Sequence, residues 1–118
     1  MTKLEVPKEV SDRVYQVLEV VKNTGKIRKG INEVTKSIER GEAKLVVIAT
    51  DVSPIEITMH IPVLCDEKKC EYVYVPSKEE LGRSVGINVP TSAVSIVNVG
   101  EGKNSLDEII KKLRDLKK

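Results

Sequence analysis

The chain has 118 residues, of which 40% are hydrophobic, so it is long enough to bury a core in one domain and does not have the composition of a disordered protein. Its 20 Lys and Arg against 18 Asp and Glu give a net charge of +2, which is weak evidence for a polyanionic partner. The charge is uneven, however. Residues 22–44 hold seven basic and three acidic residues, whereas residues 51–66 hold no Lys or Arg, so a basic surface is expected in the first half.

The first half of the chain predicts a helix, an edge strand, a second helix and a buried strand. Pro7 suits a first helical position, and valines and a leucine then recur at helical spacing until the stop at residues 23–25. A short strand over residues 26–28 precedes an amphipathic helix over residues 30–40. The apolar, β-branched run Leu45–Ala49 is typical of a strand that is covered on both faces.

A third helix is predicted from its capping residues. Ser53-Pro54-Ile55-Glu56 has the order typical of a helix start, namely a cap, a proline in the first position and an acid in the third. We expect this helix to run to about Leu64 and to be kinked or interrupted at Pro62, since proline lacks a backbone donor. The alternating segment Glu71–Val75 then predicts a strand that stops before Pro76.

The last third of the chain predicts two more helices around a loop and a strand. A capping box over residues 77–80 starts a short helix that ends at Gly86. The loop of residues 87–91 has no periodicity, and its two hydrophobic side chains should face solvent. A strand follows over residues 93–99, and a capping box made by Ser105 and Glu108 should start the final amphipathic helix.

The alternation of helices and strands predicts an α/β fold. Because each helix must bury one face against the sheet, we expect a three-layer α/β/α sandwich with a four-stranded mixed sheet. No repeat, low-complexity tract or linker divides the chain, so residues 1–118 are predicted to form a single domain.

No targeting or cofactor motif is evident. A signal peptide and an apolar run of roughly 18 residues are both absent, so we expect a cytoplasmic protein with no membrane partner. Cys65 and Cys70, in the segment CDEKKC, could form a redox pair or half of a metal site, but two ordinary intracellular thiols are the simpler interpretation. A closed zinc site needs about four ligands, and His60 is the only histidine. We therefore predict no metal and no cofactor.

Catalytic motifs have little support, so the chain is predicted not to be an enzyme. His60 has apolar neighbours and no identifiable partners, which is more typical of a packed core or boundary residue than of a catalytic base. Thr24-Gly25-Lys26 lacks the glycine spacing of a phosphate-binding loop, and Gly25 is better interpreted as a helix C-cap. An enzyme that uses His60 or the cysteines is kept as the alternative from another functional class.

The helix over residues 30–40 has one apolar face and one unusual polar face. Ile31, Val34 and Ile38 fall on the apolar face. The polar face carries Lys29, Asn32, Glu33, Lys36 and Arg40. Asparagine offers a donor and an acceptor to a base edge, glutamate accepts from amino or imino groups, and lysine supplies a positive charge. Glu33 is an acid among these cations. It could accept hydrogen bonds from nucleic-acid bases, or it could form a simple ion pair with Lys29 or Lys36.

Two stretches resemble a known protein family, RKGINEVTKSIERGEAKLVVIATDVSPIEITMHIPVLCDEKK from residue 28 and YVYVPSKEELGRSVGI from residue 72. They closely resemble the archaeal large-subunit ribosomal proteins of the L-seven-Ae type, which bind kink-turn RNA. Relatives include the small nucleolar and spliceosomal kink-turn proteins of eukaryotes. The resemblance covers almost the whole chain and implies an α/β/α sandwich that grips a sharply bent RNA stem beside tandem sheared G·A pairs.

The resemblance also implies which residues contact RNA. Asn32 and Glu33 would contact the G·A pairs from the major groove, and a wall next to this helix would pack against the base expelled at the bend. The implied RNA-binding residues are Lys29, Gly30, Asn32, Glu33, Lys36 and Arg40 on the helix side, and Lys78, Ile87, Asn88, Val89 and Pro90 on the wall side. Lys29 and Arg40 are assigned to phosphates. Val89 stands where some eukaryotic relatives carry an arginine, which implies a more apolar contact with the expelled base.

The implied partners are RNAs and the other subunits of ribonucleoprotein particles. The resemblance points to rRNA of the large ribosomal subunit, to box C/D and H/ACA guide RNAs, and to ribonuclease P RNA as a further candidate. The function implied is a scaffold that stabilises bent RNA. The alternative is a purely structural ribosomal protein that holds rRNA through general phosphate contacts.

Overall fold

A computed structural model describes residues 8–51 and 58–116 of the chain. Within these residues five α-helices and four strands alternate. The helices are α1 (Lys8–Thr24), α2 (Ile31–Glu39), α3 (His60–Lys68), α4 (Lys78–Ser84) and α5 (Lys103–Leu116). The strands are β1 (Lys26–Lys29), β2 (Leu45–Ala49), β3 (Glu71–Val75) and β4 (Ala93–Asn98). A 3-10 turn, Gly100–Gly102, leads from β4 into α5.

The four strands form one mixed sheet in the order β1-β4-β2-β3. Strand β4 pairs antiparallel with both β1 and β2, whereas β2 and β3 are parallel and are connected through α3. Every residue of β2 is buried, as expected for a central strand covered on both faces. The mixed four-stranded sheet predicted from the sequence is therefore confirmed.

Helices cover both faces of this sheet. Alternate strand residues such as Val47 and Val73 pack with Leu18 and other buried residues of α1, α4 and α5. On the opposite face, Ile48 packs with Ile38 and with further buried residues of α2 and α3. The predicted three-layer α/β/α arrangement is thus confirmed. It places α2 and α4, which carry the predicted site residues, on opposite faces of the sheet.

The third helix differs from its prediction. Thr58 and Met59 form a turn, and α3 begins only at His60 and runs on to Lys68. Pro62 consequently lies in the first turn, where a backbone N–H has no partner within the helix, so the predicted kink is wrong. The proposed start at residues 53–56 lies outside the described residues, as does the first-position Pro7 of α1.

The capping predictions for α4 and α5 have different outcomes. The Ser77 hydroxyl oxygen accepts a bond of 3.2 Å from the Glu80 amide, so the cap of α4 is confirmed. The cap predicted at Ser105 is wrong, because the 3-10 turn allows α5 to begin earlier, at Lys103. Glu108 instead accepts a hydrogen bond from Arg13 on α1, with 3.3 Å between Nη1 and Oε2.

Gly25 caps α1, but its close approach to β4 is the stronger reason for a glycine at this position. The Gly25 amide does donate to the Val21 carbonyl at 2.7 Å, at the end of α1. A Cβ at this position would, however, lie 2.1 Å from the Asn98 carbonyl oxygen. Glycine is therefore required by the space between β1 and the end of β4, a contact that no local sequence pattern indicates.

We expect the protein to lose stability at high pH because of its half-buried tyrosines. Burial raises the pKa of Tyr15 from 10.0 to about 12, with smaller contributions from Glu80, Asp51 and Asp12 and an opposing hydrogen bond to the Ser77 carbonyl. Burial also raises the pKa of Tyr72 and Tyr74. Because the unfolded chain ionises first, this stabilisation is complete below pH 10 and is lost as the pH rises toward 12.

Urea denaturation measured across that pH range checks this expectation. The free energy of unfolding should fall, and Tyr15→Phe should show a smaller fall than the wild-type protein over the same range. An equal fall in the two proteins would mean that Tyr15 does not contribute.

Candidate functional site

The candidate site begins at Gly30, which precedes α2. Gly30 has φ of 91° and ψ of 152°, a conformation that favours glycine strongly over residues with a side chain. A Cβ there would meet nothing within 4 Å, so the backbone conformation and not the available space selects the glycine. The Gly30 carbonyl accepts the first helical hydrogen bond, from the Val34 amide at 3.0 Å.

Helix α2 presents two chemically different faces, as its sequence predicts. Val34 and Ile38 are 0% and 1% exposed and pack against the sheet. The buried Ser37 hydroxyl lies 2.7 Å from the Ser95 hydroxyl of β4, which ties the same face to the sheet. The three residues predicted to read bases, Asn32, Glu33 and Lys36, are all exposed. No element in the described part of the chain covers them.

Glu33 is not neutralised by its basic neighbours. Among residues 8–51 and 58–116, it forms no ion pair within 4.0 Å, so the pairing with Lys29 or Lys36 that the sequence allowed is not observed. Arg40, at the end of α2, does lie near an acid, with 4.0 Å between its Nη1 and Oε1 of Glu42. The polar face of α2 therefore holds a solvent-exposed carboxylate that has no ion-pair partner in the described part of the chain.

The loop of residues 87–90 forms a second surface, and one part of its prediction is wrong. Val89 is 61% exposed, and Asn88 and Pro90 are also exposed. Ile87 was expected to face solvent but is half-buried and packs against the core under α1 and α4. The reason is the C-terminal cap of α4, in which the Gly86 amide donates to the Arg83 carbonyl at 3.1 Å and the Ile87 amide donates to the Gly82 carbonyl at 3.0 Å. The residue after the left-handed Gly86 is thereby turned back onto the core.

Hydrogen bonds bring the start of α2 close to the chain that leaves the loop. The Gly30 amide donates to the Ala93 carbonyl at 3.1 Å, and Ala93 follows Pro90 by three residues. The Thr91 amide donates to the Lys78 carbonyl at 3.2 Å, which joins the loop to the first residue of α4. Lys78 is half-buried, and its own amide donates to Oδ1 of Asp51 at 2.9 Å.

Backbone hydrogen bonds at Ala93 and Thr91 connect the two sets of predicted residues, and Arg40 stands at the far end of α2. Lys29 at the end of β1, Gly30 and the first turns of α2 lie on one side of the Gly30–Ala93 contact, and the loop and Lys78 lie on the other. Arg40 is seven residues beyond Glu33, or about 10 Å further along the helix axis. It can reach only a more distant part of any ligand held by Glu33.

Comparison with known proteins identifies the family. The sequence model of the Ribosomal protein L7Ae/L30e/S12e/Gadd45 family matches residues 12–105. The chain belongs to this family. Among solved structures, it is similar to the Giardia lamblia 15.5kD RNA binding protein, with 36% sequence identity and a TM-score of 0.90. The match covers 94% of this chain and 92% of the Giardia chain, which confirms the L7Ae-type fold expected from the resemblance.

Two residues that position parts of this candidate site were not predicted from the sequence. Asp51 holds the amide of Lys78, and Gly82 of α4 lies directly against the backbone of the loop. The only available signal for Gly82 was its place in the family-like segment LGRSVGI. Neither contact follows from local periodicity, because each joins residues from different elements.

The only histidine of the chain, His60, is not one of the predicted RNA-binding residues. His60 is exposed at the start of α3, so the expectation of a packed core or boundary position is wrong. Its Nε2 lies 2.9 Å from Oγ1 of Thr35, whose hydroxyl donates to the Ile31 carbonyl at 2.8 Å. With the Thr35 hydroxyl directed at Ile31, Nε2 of His60 donates this bond, and the basic lone pair of the neutral imidazole then lies on Nδ1.

The tyrosines and cysteines are packed into the L7Ae-type fold. Tyr72 and Tyr74 meet edge to face, with centroids 6.1 Å apart, and pack half-buried beneath α2 and α3. Cys65 is buried, and a hydrogen bond with it lowers the pKa of the half-buried Cys70 thiol, against the opposing effect of burial.

Within the described residues no group of three or more His, Cys, Asp or Glu could hold a metal ion. No helix found there has the length and apolarity needed to cross a bilayer.

Proposed function

We propose that this protein is an RNA-binding scaffold that recognises and stabilises kink-turn and kink-loop RNA. The observation that carries the proposal is Glu33, an exposed acid with no ion pair in the described structure, on the same helix face as Lys36. A surface that binds phosphates only by charge would lose affinity through such an acid. A carboxylate that accepts hydrogen bonds from base amino or imino groups gains specificity from it.

The roles of the α2 residues follow from their chemistry and position. Asn32 and Glu33 are assigned to the edges of tandem sheared G·A pairs, and Lys36 to a purine acceptor or phosphate. Lys29 and Arg40 supply charge to flanking phosphates, and the N-terminus of α2 at Gly30 offers backbone amides to a further phosphate. The regular A-form major groove is too narrow for such reading, so the RNA must be bent for these side chains to enter.

The second wall is assigned to Lys78 and the loop of residues 87–90. Val89 and Pro90 present exposed apolar surface on which an unstacked base can pack, and Asn88 adds hydrogen-bonding capacity. Ile87, being half-buried, anchors the wall and contributes little direct contact. Val89 in place of an arginine makes this contact apolar, which suits a broad range of kinked RNAs.

The biological setting is proposed from the family and from the named relative. The family name includes ribosomal proteins, and the Giardia relative is named as an RNA binding protein. We assign this protein, as an archaeal-type member, to the large ribosomal subunit and to box C/D and H/ACA guide particles in the cytoplasm, with ribonuclease P as a further particle. Its role there is non-enzymatic. It binds the kinked RNA conformer more tightly than the extended one and thereby populates it for other subunits.

A gel-shift comparison of two RNAs tests the proposal. One RNA contains an intact kink-turn, and the other has Watson–Crick pairs in place of the tandem G·A pairs. We expect the second RNA to bind roughly a hundredfold more weakly, since at least two base contacts are lost. The comparison should be made at several salt concentrations, because general phosphate binding weakens steeply with salt.

The alternative function predicts a different result. A purely structural ribosomal protein that contacts only phosphates would bind the two RNAs equally, and both affinities would fall together as salt is added. That outcome would overturn specific kink-turn recognition.

A further inference from the structure

The loop of residues 87–90 is fastened to one face of α4 through backbone atoms. The carbonyl of Gly82 accepts a hydrogen bond from the Ile87 amide at 3.0 Å, at the start of the loop. The carbonyl of Lys78, one helical turn earlier, accepts from the Thr91 amide at 3.2 Å, just past the end of the loop. Both ends of the loop are thereby held by the same short helix.

Gly82 also lets the middle of the loop lie directly on the helix. A Cβ at Gly82 would be 2.2 Å from the Val89 carbonyl oxygen, 3.2 Å from the Val89 carbonyl carbon and 3.5 Å from the Pro90 Cα. The first distance is impossible for a real side chain, and the obstructing atoms belong to the backbone, which cannot rotate away. Any residue larger than glycine must therefore push the loop off α4.

The backbone conformation of Gly82 does not itself require glycine. Its φ is not in the left-handed region, in contrast to Gly30 and Gly86. Glycine is also a poor helix former, so at this position it weakens α4. What it provides is space for the loop.

We infer that Gly82 is a positioning residue for RNA binding, which holds the loop of residues 87–90 in its binding conformation before RNA arrives. This inference rests on the proposed function, in which that loop is one wall of the RNA site. A preformed wall avoids the cost of ordering Asn88, Val89 and Pro90 during binding. With the loop displaced, α2 would still offer its charged face, but the expelled base would lack its support.

The test compares Gly82→Ala with the wild-type full-length protein. We expect the variant to bind kink-turn RNA roughly ten- to a hundredfold more weakly, with unchanged affinity for an unkinked duplex of the same length. Hydrogen exchange supplies a second readout. The Thr91 amide, which donates to the Lys78 carbonyl past the end of the loop, should be protected in the free wild-type protein and should lose that protection in the variant. The Val47 amide of the central strand should stay protected in both.

Gly100→Ala is the matched control for a general loss of stability. Its Cβ would also meet backbone, at 2.5 Å from the Thr24 carbonyl group, but at the junction of α1 and α5 and not at the loop. This variant should be destabilised and should keep its kink-turn affinity under conditions in which it is folded. Equal kink-turn binding by Gly82→Ala and the wild type would overturn the inference.

Two further outcomes remain decisive. If Gly82→Ala does not fold, the free wild-type protein decides: slow exchange of the Thr91 amide supports a preformed loop, and rapid exchange overturns it. If the wild-type protein does not distinguish kinked from unkinked RNA, the proposed function fails. A positioning role for Gly82 in RNA binding then fails with it, even where exchange shows the loop to be ordered.

Discussion

Replacing Glu33 with alanine should weaken the binding of kink-turn RNA by about 1–3 kcal/mol, the usual cost of losing a specific base contact. The expected direction is informative because the substitution removes a negative charge from a surface that would bind a polyanion. Electrostatics alone predicts tighter binding by the variant. Weaker binding therefore requires that the carboxylate of Glu33 makes favourable contacts with the RNA. Filter binding or calorimetry with an intact kink-turn would measure the effect.

Glu39→Ala is the matched control for charge. Glu39 is exposed on the same helix, but it lies six residues, or about 9 Å, further along the axis than Glu33 and is not among the predicted RNA-binding residues. Both variants change the net charge equally, so any general effect on RNA affinity should appear in both. Circular dichroism should show little change in stability for either, since neither residue forms an ion pair among the described residues. Unchanged or tighter kink-turn binding by Glu33→Ala would remove Glu33 from the site.

Ile38→Ala should lower the free energy of unfolding by about 2–5 kcal/mol, the range for deleting a large aliphatic side chain from a core. Ile38 is 1% exposed and belongs to the cluster of Val34, Ile48 and Ile61 between α2, α3 and the sheet. Its removal leaves a cavity that the rigid sheet cannot close. Urea denaturation followed by circular dichroism would measure the loss.

Ile38→Val provides a graded comparison at the same position. It should cost about 0.5–1.5 kcal/mol, because it removes a single methylene. Once the folded fraction is taken into account, both variants should bind kink-turn RNA with nearly wild-type affinity, since Ile38 lies on the buried face of α2. A large loss of affinity in the fully folded Ile38→Val protein would show that small shifts of α2 are transmitted to its RNA-reading face.

The predictions for Glu33 and Ile38 assign different functions to the two faces of α2. The face with Glu33 should affect RNA affinity with little change in stability, and the face with Ile38 should affect stability with little change in affinity. The Gly30–Ala93 hydrogen bond and the Ser37–Ser95 contact attach this helix to β4, the strand that follows the loop of residues 87–90. The sheet therefore sets the spacing between the two walls of the proposed site.

Local patterns in the sequence were sufficient for most of the secondary structure. Helical spacing of apolar residues predicted the two faces of α2, and a continuous apolar run predicted the buried strand Leu45–Ala49. The family-like motifs led to the correct fold and family. All of these signals lie within a few residues of one another, where periodicity and capping chemistry act. The Ser105 cap was mistaken because Ser105 and Glu108 have a suitable local sequence, but the 3-10 turn before them lets α5 begin at Lys103.

Only the tertiary structure decided how the candidate site is assembled. The sequence left open whether Glu33 pairs with Lys29 or Lys36, and in the described structure it pairs with neither. It gave no sign that Gly82 makes room for the Val89 carbonyl or that the Gly30 amide bonds to the Ala93 carbonyl. Each of these properties depends on a contact between different elements, which local periodicity does not report. By itself the sequence determined which side chains are candidates for RNA contact, and packing around the shared sheet decided which of them are exposed.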